Sequence, residues 1–258
     1  MRMIKEYKSE LLDDGITLLN EKKILFGQCG PDKRLHLSEV MQYCSDYVTE
    51  LYTQRGYDRD FLVEHGYAQM VSRSSFHIYD LPKENDVITI SVREEKPEGP
   101  QLMRCYEFKD SKSNQLLIVG KSLWVIVEPK TRAVVFPNRF EFLAKSDVET
   151  REECAKPGRI KFPEKLVHLS DQKIIYSMID GNNHLTNSKY INFAIDYLPE
   201  QYQSKKITDF RLNFCKEIRK DDTMQVNAFF NNEENKILVE GKIASDGERS
   251  FECELIYK

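Results

Sequence analysis

The chain has 258 residues, a formal net charge of −4 and a 40% apolar composition. That length and apolar content suffice for one large domain or two ordinary ones with a buried core, and the charge argues against nucleic acid as a general partner. There is no Gly-rich phosphate loop, no G-x-S-x-G elbow and no H-E-x-x-H, so the usual signs of an NTPase, a serine hydrolase or a zinc protease are missing.

From the N-terminal end, Met1 to Lys8 lacks the apolar stretch of a signal peptide. The most hydrophobic run, Leu116 to Val127, is broken by Lys121 and too short for a bilayer. Six cysteines (Cys29, Cys44, Cys105, Cys154, Cys215 and Cys253) lie far apart, with no zinc-ligand spacing. Reduced thiols, a cytoplasmic location and no metal are the expectation. A 3.6-residue period from Ser38 to about Gln54 gathers Val40, Met41, Cys44, Tyr47, Val48 and Leu51 on one side and predicts a long helix. Strand-like runs follow it up to Val135. Residues 137–163 are polar and charged, as an inter-domain connector is, so the predicted organisation is a first domain over 1–136, a connector over 137–163 and a second domain over 164–258.

The second half repeats the order of the first. Ile174 to Ile179 reads as a strand and Thr186 or Asn187 as a helix cap. Tyr190, Ile191, Ala194, Ile195, Tyr197 and Leu198 then read as an amphipathic helix that Pro199 stops. Four strand candidates complete it: Ile207 to Ile218, Met224 to Phe230, Lys236 to Ile243 and Ser250 to Tyr257. The fold class is therefore α+β, two tandem domains in which a long helix lies on a curved antiparallel sheet.

Just before the second helix, Asp180, Asn182 and His184 place an acid, an amide and an imidazole at every second position. A helix start presents unpaired N–H groups and a positive dipole end, and those near Asn187 and Ser188 can hold the oxygen of a carbonyl under attack. Taken alone, such a string is often a capped turn. A degenerate copy speaks for more, since Asp32, Arg34 and His36 align with Asp180, Asn182 and His184, and Arg34 stands where the second copy has its amide.

These residues resemble the acyl-[acyl carrier protein] thioesterases of plant plastids and bacteria, which are built from two fused hotdog domains, over nearly the whole chain. The family's Asp-x-Asn-x-His-x-x-Asn-x-x-Tyr signature is met by Asp180, Asn182, His184, Asn187 and Tyr190. Its aromatic-x-x-Glu strand is met by Phe214 to Glu217, and its strand with a tryptophan ahead of a Thr-Arg turn by Trp124, Thr131 and Arg132. Plant members carry a cysteine directly after the glutamate. Here that position is Ile218, so such a cysteine cannot be required, and Cys215 reads as a buried structural thiol on the Glu217 face of the strand.

The resemblance implies hydrolysis of fatty acyl thioesters to a free fatty acid and the phosphopantetheine thiol of acyl carrier protein, in fatty acid biosynthesis. It assigns the work to Asp180, Asn182, His184 and Glu217, with no cofactor. A coenzyme A carrier, or a non-catalytic acyl-binding protein of the same fold, are the alternatives. The altered first half is expected to bind the acyl chain, with Met41, Cys44 and Val48 as lining. One chain then holds an internal pseudo-dimer, as a monomer or within a homodimer, away from membranes.

A thioester has a leaving thiol of pKa about 8.5, so the demands are a nucleophile and an oxyanion site. His184 or Glu217 can take a proton from water. Asp180 can orient that water or attack the carbonyl itself, and Asn182 can hold the water or a carboxylate; base-activated water is the favoured nucleophile. Alternation of Phe210, Leu212, Phe214 and Ile218 predicts that Glu217 is buried in a strand, which would suit it to act as a base. Lys205, Lys206, Arg211, Lys216, Arg219 and Lys220 suggest a basic rim that steers an acidic carrier.

Overall fold

The apolar stripe read from the sequence is carried by helix α1, Leu37–Gln54, whose Val40, Met41, Cys44, Val48 and Leu51 are buried. The structure is a computed structural model that describes residues 8–148 and 154–258; the first seven residues and part of the connector lie outside the described residues. Before α1 run β1 (Ser9–Leu11) and β2 (Thr17–Lys23), and after it a short helix α2 (Arg59–Glu64). Asp58 caps α2 by accepting the N–H of Phe61 at 2.9 Å. Strands β3 (Ala68–Ile78), β4 (Val87–Glu94), β5 (Gln101–Asp110), β6 (Leu116–Val127) and the two-residue β7 (Val134–Val135) complete the first half.

The second half contains β8 (Val167–Lys173), helices α3 (Lys189–Asp196) and α4 (Glu200–Gln203), then β9 (Ile207–Phe214), β10 (Thr223–Asn231), β11 (Lys236–Ile243) and β12 (Arg249–Tyr257). All of the strands join one antiparallel sheet in the order β1-β2-β4-β5-β6-β3-β9-β12-β11-β10-β8, with β7 on β6. From β2 inward and from β8 inward the two halves are mirror copies, and they meet where β3 pairs with β9. Phe76 stacks on Phe210 across that seam at 4.8 Å, a geometry that adds about 0.5–1.5 kcal/mol to the burial of the two rings. Gly120 is required there: a Cβ on it would lie 2.1 Å from the Phe76 ring. Each half is a hotdog, a helix against a curved sheet.

Several sequence expectations change. Ile174 to Ile179 is not a strand; it leaves the sheet after β8 as a 3-10 turn over Tyr176–Met178, with Ile174 fully buried and Tyr176 81% exposed. Period-two burial is what a half-covered strand needs, and this run lacks it. Helix α3 starts later than Thr186 or Asn187, behind Ser188. The Thr186 hydroxyl instead donates to Met178 O at 3.0 Å, and the Ser188 hydroxyl donates to Gln42 Oε1 of α1 at 2.8 Å, linking the two halves.

The repeat also has a different register. Bridges Cys29↔Leu35 and Ile179↔Leu185 close equivalent loops. Gly30 N–H donates to Arg34 O as Asp180 N–H donates to His184 O, both at 2.9 Å, and Lys33 and Asn183 share a left-handed φ of 61° and 62°. Gly30, Asp32 and Arg34 therefore stand opposite Asp180, Asn182 and His184, while His36 stands opposite Thr186. Likewise Leu35 N–H donates to Pro82 O where Leu185 N–H donates to Ile218 O, so the counterpart of Glu217 is Leu81. The alignment of Asp32 and His36 with Asp180 and His184 was a coincidence of residue type, off by two positions. Backbone hydrogen bonding fixes the register, and it leaves the first half without the acid, the imidazole or the carboxylate.

Candidate active site

The loop Ile179 to Leu185 is shaped by its own aspartate. Asp180 Oδ1 accepts the N–H of Asn182 at 2.7 Å and that of His184 at 3.4 Å, an Asx-type turn that the left-handed Asn183 makes possible. Asp180 Oδ2 lies 3.4 Å from the Asn182 amide nitrogen. Asp180 thus serves the turn as well as any chemistry. His184 is held with its Nε2 3.0 Å from Glu217 Oε2, the side chains being 16% and 33% exposed. Acid, amide, imidazole and distant carboxylate all line one cavity of about 550 Å³.

Glu217 reaches this place differently from the expectation. Strand β9 ends at Phe214, so Glu217 lies on the loop beyond it, partly exposed instead of buried in the sheet. Its second partner is Arg132, whose Nη2 donates to the same Oε2 at 3.0 Å. Arg59, at the start of α2, donates to Asn182 Oδ1. Both arginines belong to the first half, and neither contact was read from the sequence. Arg132 stood in a recognised Thr-Arg turn without a role, and Arg59 carries no motif; contacts of such sequence separation exist only in the folded chain.

The first half walls the rest of the cavity. Gln42, Ser45, Asp46, Thr49 and Tyr52 come from α1, joined by Leu62, Val63, Met70 and Trp124 among others. This is a different stripe of α1 from the expected Met41, Cys44 and Val48, which are buried in the hydrophobic core. Burial pushes the Asp46 carboxyl above its ordinary range. Tyr190 packs edge-to-face on Phe214 and Phe251 at 5.4 and 5.6 Å, and burial pushes its phenol up to about 12; its role is in the core. Asn187 borders the cavity, and among the described residues no hydrogen bond takes the N–H of Asn187 or Ser188.

Cys215 is exposed and not the buried thiol expected. It borders a separate depression with Arg73, Arg159, Asn213 and Glu252. Desolvation by the surrounding protein, reinforced by Glu252, pushes its thiol up to about 11, which disfavours a thiolate, and it is absent from the lining of the cavity that holds His184. Cys215→Ala should leave hydrolysis within about twofold of the unaltered chain, since surface changes away from a site are close to neutral; a large rate loss in a thiol-release assay would refute this placement. The basic stretch is also mostly spent. Lys206 lies 3.7 Å from Asp80, Arg211 2.7 Å from Glu254, Lys216 2.7 Å from Asp246 and Lys220 2.9 Å from Asp221, while Lys205 covers the Tyr257 ring. None of them borders the cavity, whose cations among the described residues are Arg59 and Arg132.

The models of the acyl-ACP thioesterase N-terminal and C-terminal domains match residues 18–137 and 165–258. The chain belongs to the acyl-ACP thioesterase family. Membership makes it a thioester hydrolase that acts on fatty acyl-ACP. Solved structures give the same fold. An acyl-ACP thioesterase from Bacteroides thetaiotaomicron superposes with a TM-score of 0.83 at 21% identity, over 94% of this chain and 98% of its own. The 12:0-ACP thioesterase from Umbellularia californica gives 0.78 at 15% identity, over 94% and 97%. No curated protein matches the chain. Among the described residues, no group of His, Cys, Asp and Glu is placed to hold a metal ion, and no helix is long and apolar enough to cross a membrane.

Proposed function

We propose that this acyl-ACP thioesterase hydrolyses its substrate by base-activated water at Asp180, Asn182, His184 and Glu217, with the acyl chain lying in the first-half part of the cavity. The observation that carries the reading is the 3.0 Å contact of His184 Nε2 with Glu217 Oε2 inside a cavity walled by the other half. His184 Nε2 faces the Glu217 carboxylate at 3.0 Å, which favours the tautomer with its proton on Nε2 and makes His184 Nδ1 the acceptor for a proton of water. Arg59 occupies the Asn182 carbonyl oxygen, so the amide nitrogen is the group that presents itself to water or to the ester. Water oxygen bonds to the carbonyl carbon as its proton passes to His184. The N–H groups of Asn187 and Ser188 hold the oxyanion. The C–S bond then breaks, and the imidazolium returns the proton to the leaving thiolate.

The carrier is acyl carrier protein, met through its phosphopantetheine arm, and the compartment is the cytoplasm, in keeping with six free cysteines. The halves already pair within one chain, so the minimal unit is a monomer. The deciding experiment is thiol release from one series of acyl chains presented on acyl carrier protein and on coenzyme A. Fatty acid formation with a strong carrier-protein preference is expected. A coenzyme A preference would replace the carrier, and acyl binding without thiol release would replace the enzyme by a binding protein.

A further inference from the structure

The turn that follows β6 carries an arginine in a backbone region that arginine does not favour. Arg132 has φ 60°, where the Cβ of an L-residue crowds its own backbone. The turn around it is tied down. Glu128 accepts the N–H of Lys130 at 3.1 Å and of Thr131 at 2.6 Å through its carboxylate, and its carbonyl accepts the Arg132 N–H at 2.9 Å. Thr131 Oγ1 accepts the N–H of Ala133 at 3.2 Å. An unfavourable φ persists only where the surroundings over-determine it, and such positions cluster at functional sites. Here the effect is to fix the root of one long side chain.

The far end of that side chain is fixed as well. Arg132 Nη1 lies 3.3 Å from Met70 Sδ on β3, and Nη2 donates to Glu217 Oε2 at 3.0 Å. His184 Nε2 uses the same oxygen at the same distance. The Arg132 hydrogen bond therefore falls on the very oxygen that faces the imidazole, and it sets the rotation of the carboxylate. Glu217 needs this, because it sits past the end of β9, outside the strand ladder, and a free glutamate side chain keeps much rotamer freedom. The first half has no copy of the arrangement, since its counterparts of His184 and Glu217 are Arg34 and Leu81, and Arg34 is turned to Asp80 at 2.5 Å.

We propose that Arg132 is a positioning residue of the hydrolytic site: it reaches from the first half across the seam and holds the Glu217 carboxylate against His184. This rests on the reading of His184 and Glu217 given above. The competing account is an ordinary half-exposed ion pair that tethers the halves, of the kind worth little to stability and nothing to rate.

The test uses the full chain. Arg132→Gln should lower kcat about tenfold to a hundredfold, the scale of a small misplacement of a reacting group, with KM and melting temperature little changed. Arg132→Lys should recover part of the loss, and added guanidinium at a non-denaturing concentration should restore Arg132→Ala. In the Glu217→Gln background, Arg132→Gln should cost nothing further, because both act through one carboxylate. Imidazole nitrogen NMR of His184 gives a readout that needs no turnover; its signals should shift in Arg132→Gln. Unchanged kcat with an unchanged His184 spectrum, or losses that simply multiply in the double variant, would overturn the proposal. Absence of hydrolysis by the unaltered chain would instead overturn the functional reading, while the His184 spectrum would still decide whether Arg132 positions that pair.

Discussion

Replacing His184 by alanine should lower the hydrolysis rate by roughly a hundredfold or more, the usual scale of a lost general base. The reason is local. His184 Nε2 is 3.0 Å from Glu217 Oε2, and among the described residues no other imidazole borders the cavity. Asp180→Ala should lose as much by a second route, because the same carboxylate holds the N–H groups of Asn182 and His184. Asp180→Asn keeps an acceptor for that turn and so separates the two contributions: a turn-only role predicts near-complete recovery, a charge role does not. Steady-state thiol release beside thermal melting measures both. Full activity in either alanine variant would dismiss the assignment of the site.

The largest stability effect should come from a buried network that backs the cavity. Glu94 Oε1 is 2.5 Å from Arg104 Nη2, and Glu94 Oε2 is 2.6 Å from Arg55 Nη1, with Glu94 and Arg104 both 1% exposed at the side chain. Tyr52, a residue of the cavity lining, donates to Glu94 at 2.8 Å and accepts from Arg104 at 3.0 Å. Glu94→Ala leaves two guanidinium groups without their carboxylate in the interior, a change that typically costs about 3–5 kcal/mol. Glu94→Gln keeps the shape and removes the charge, so it should lose nearly as much if charge pairing is the cause. Denaturant unfolding followed by linear extrapolation measures the difference. A loss below about 1 kcal/mol in both variants would show that water reaches these arginines after the substitution, and the network would then carry no structural weight.

Much of this molecule is legible in one dimension. The stripe Val40, Met41, Cys44, Val48 and Leu51 predicts α1 because a helix buries one face at a fixed period, and the meander strands show their turns. The signature from Asp180 to Tyr190 is equally plain, since a turn and the helix behind it are local events, although the helix starts behind Ser188 and not at Thr186 or Asn187. Local patterns mislead where they coincide by chance. Asp32 and His36 mimic the spacing of Asp180 and His184, yet the bridges of the two loops set Arg34 opposite His184. The true repeat lies two residues along, with Lys23 on Lys173, Ile24 on Ile174, Leu35 on Leu185, Ser38 on Ser188, Asp46 on Asp196 and Tyr47 on Tyr197. Glu217 failed as a strand residue because alternation says where a strand can run and not where its ladder stops.

Composition, periodicity and one short motif determined by themselves that the chain is a duplicated helix-on-sheet protein with an acid, an amide and an imidazole just ahead of its second helix. They act over a few residues, the range at which backbone sterics and amphipathic periodicity operate. Only the tertiary structure decided that Glu217 meets His184, that Arg59 and Arg132 arrive from the first copy, and which stripe of α1 borders the cavity. Each of those depends on how β3 and β9 pair across the seam, and that pairing is set by side-chain packing such as Phe76 against Phe210, to which positions far apart in the chain contribute together.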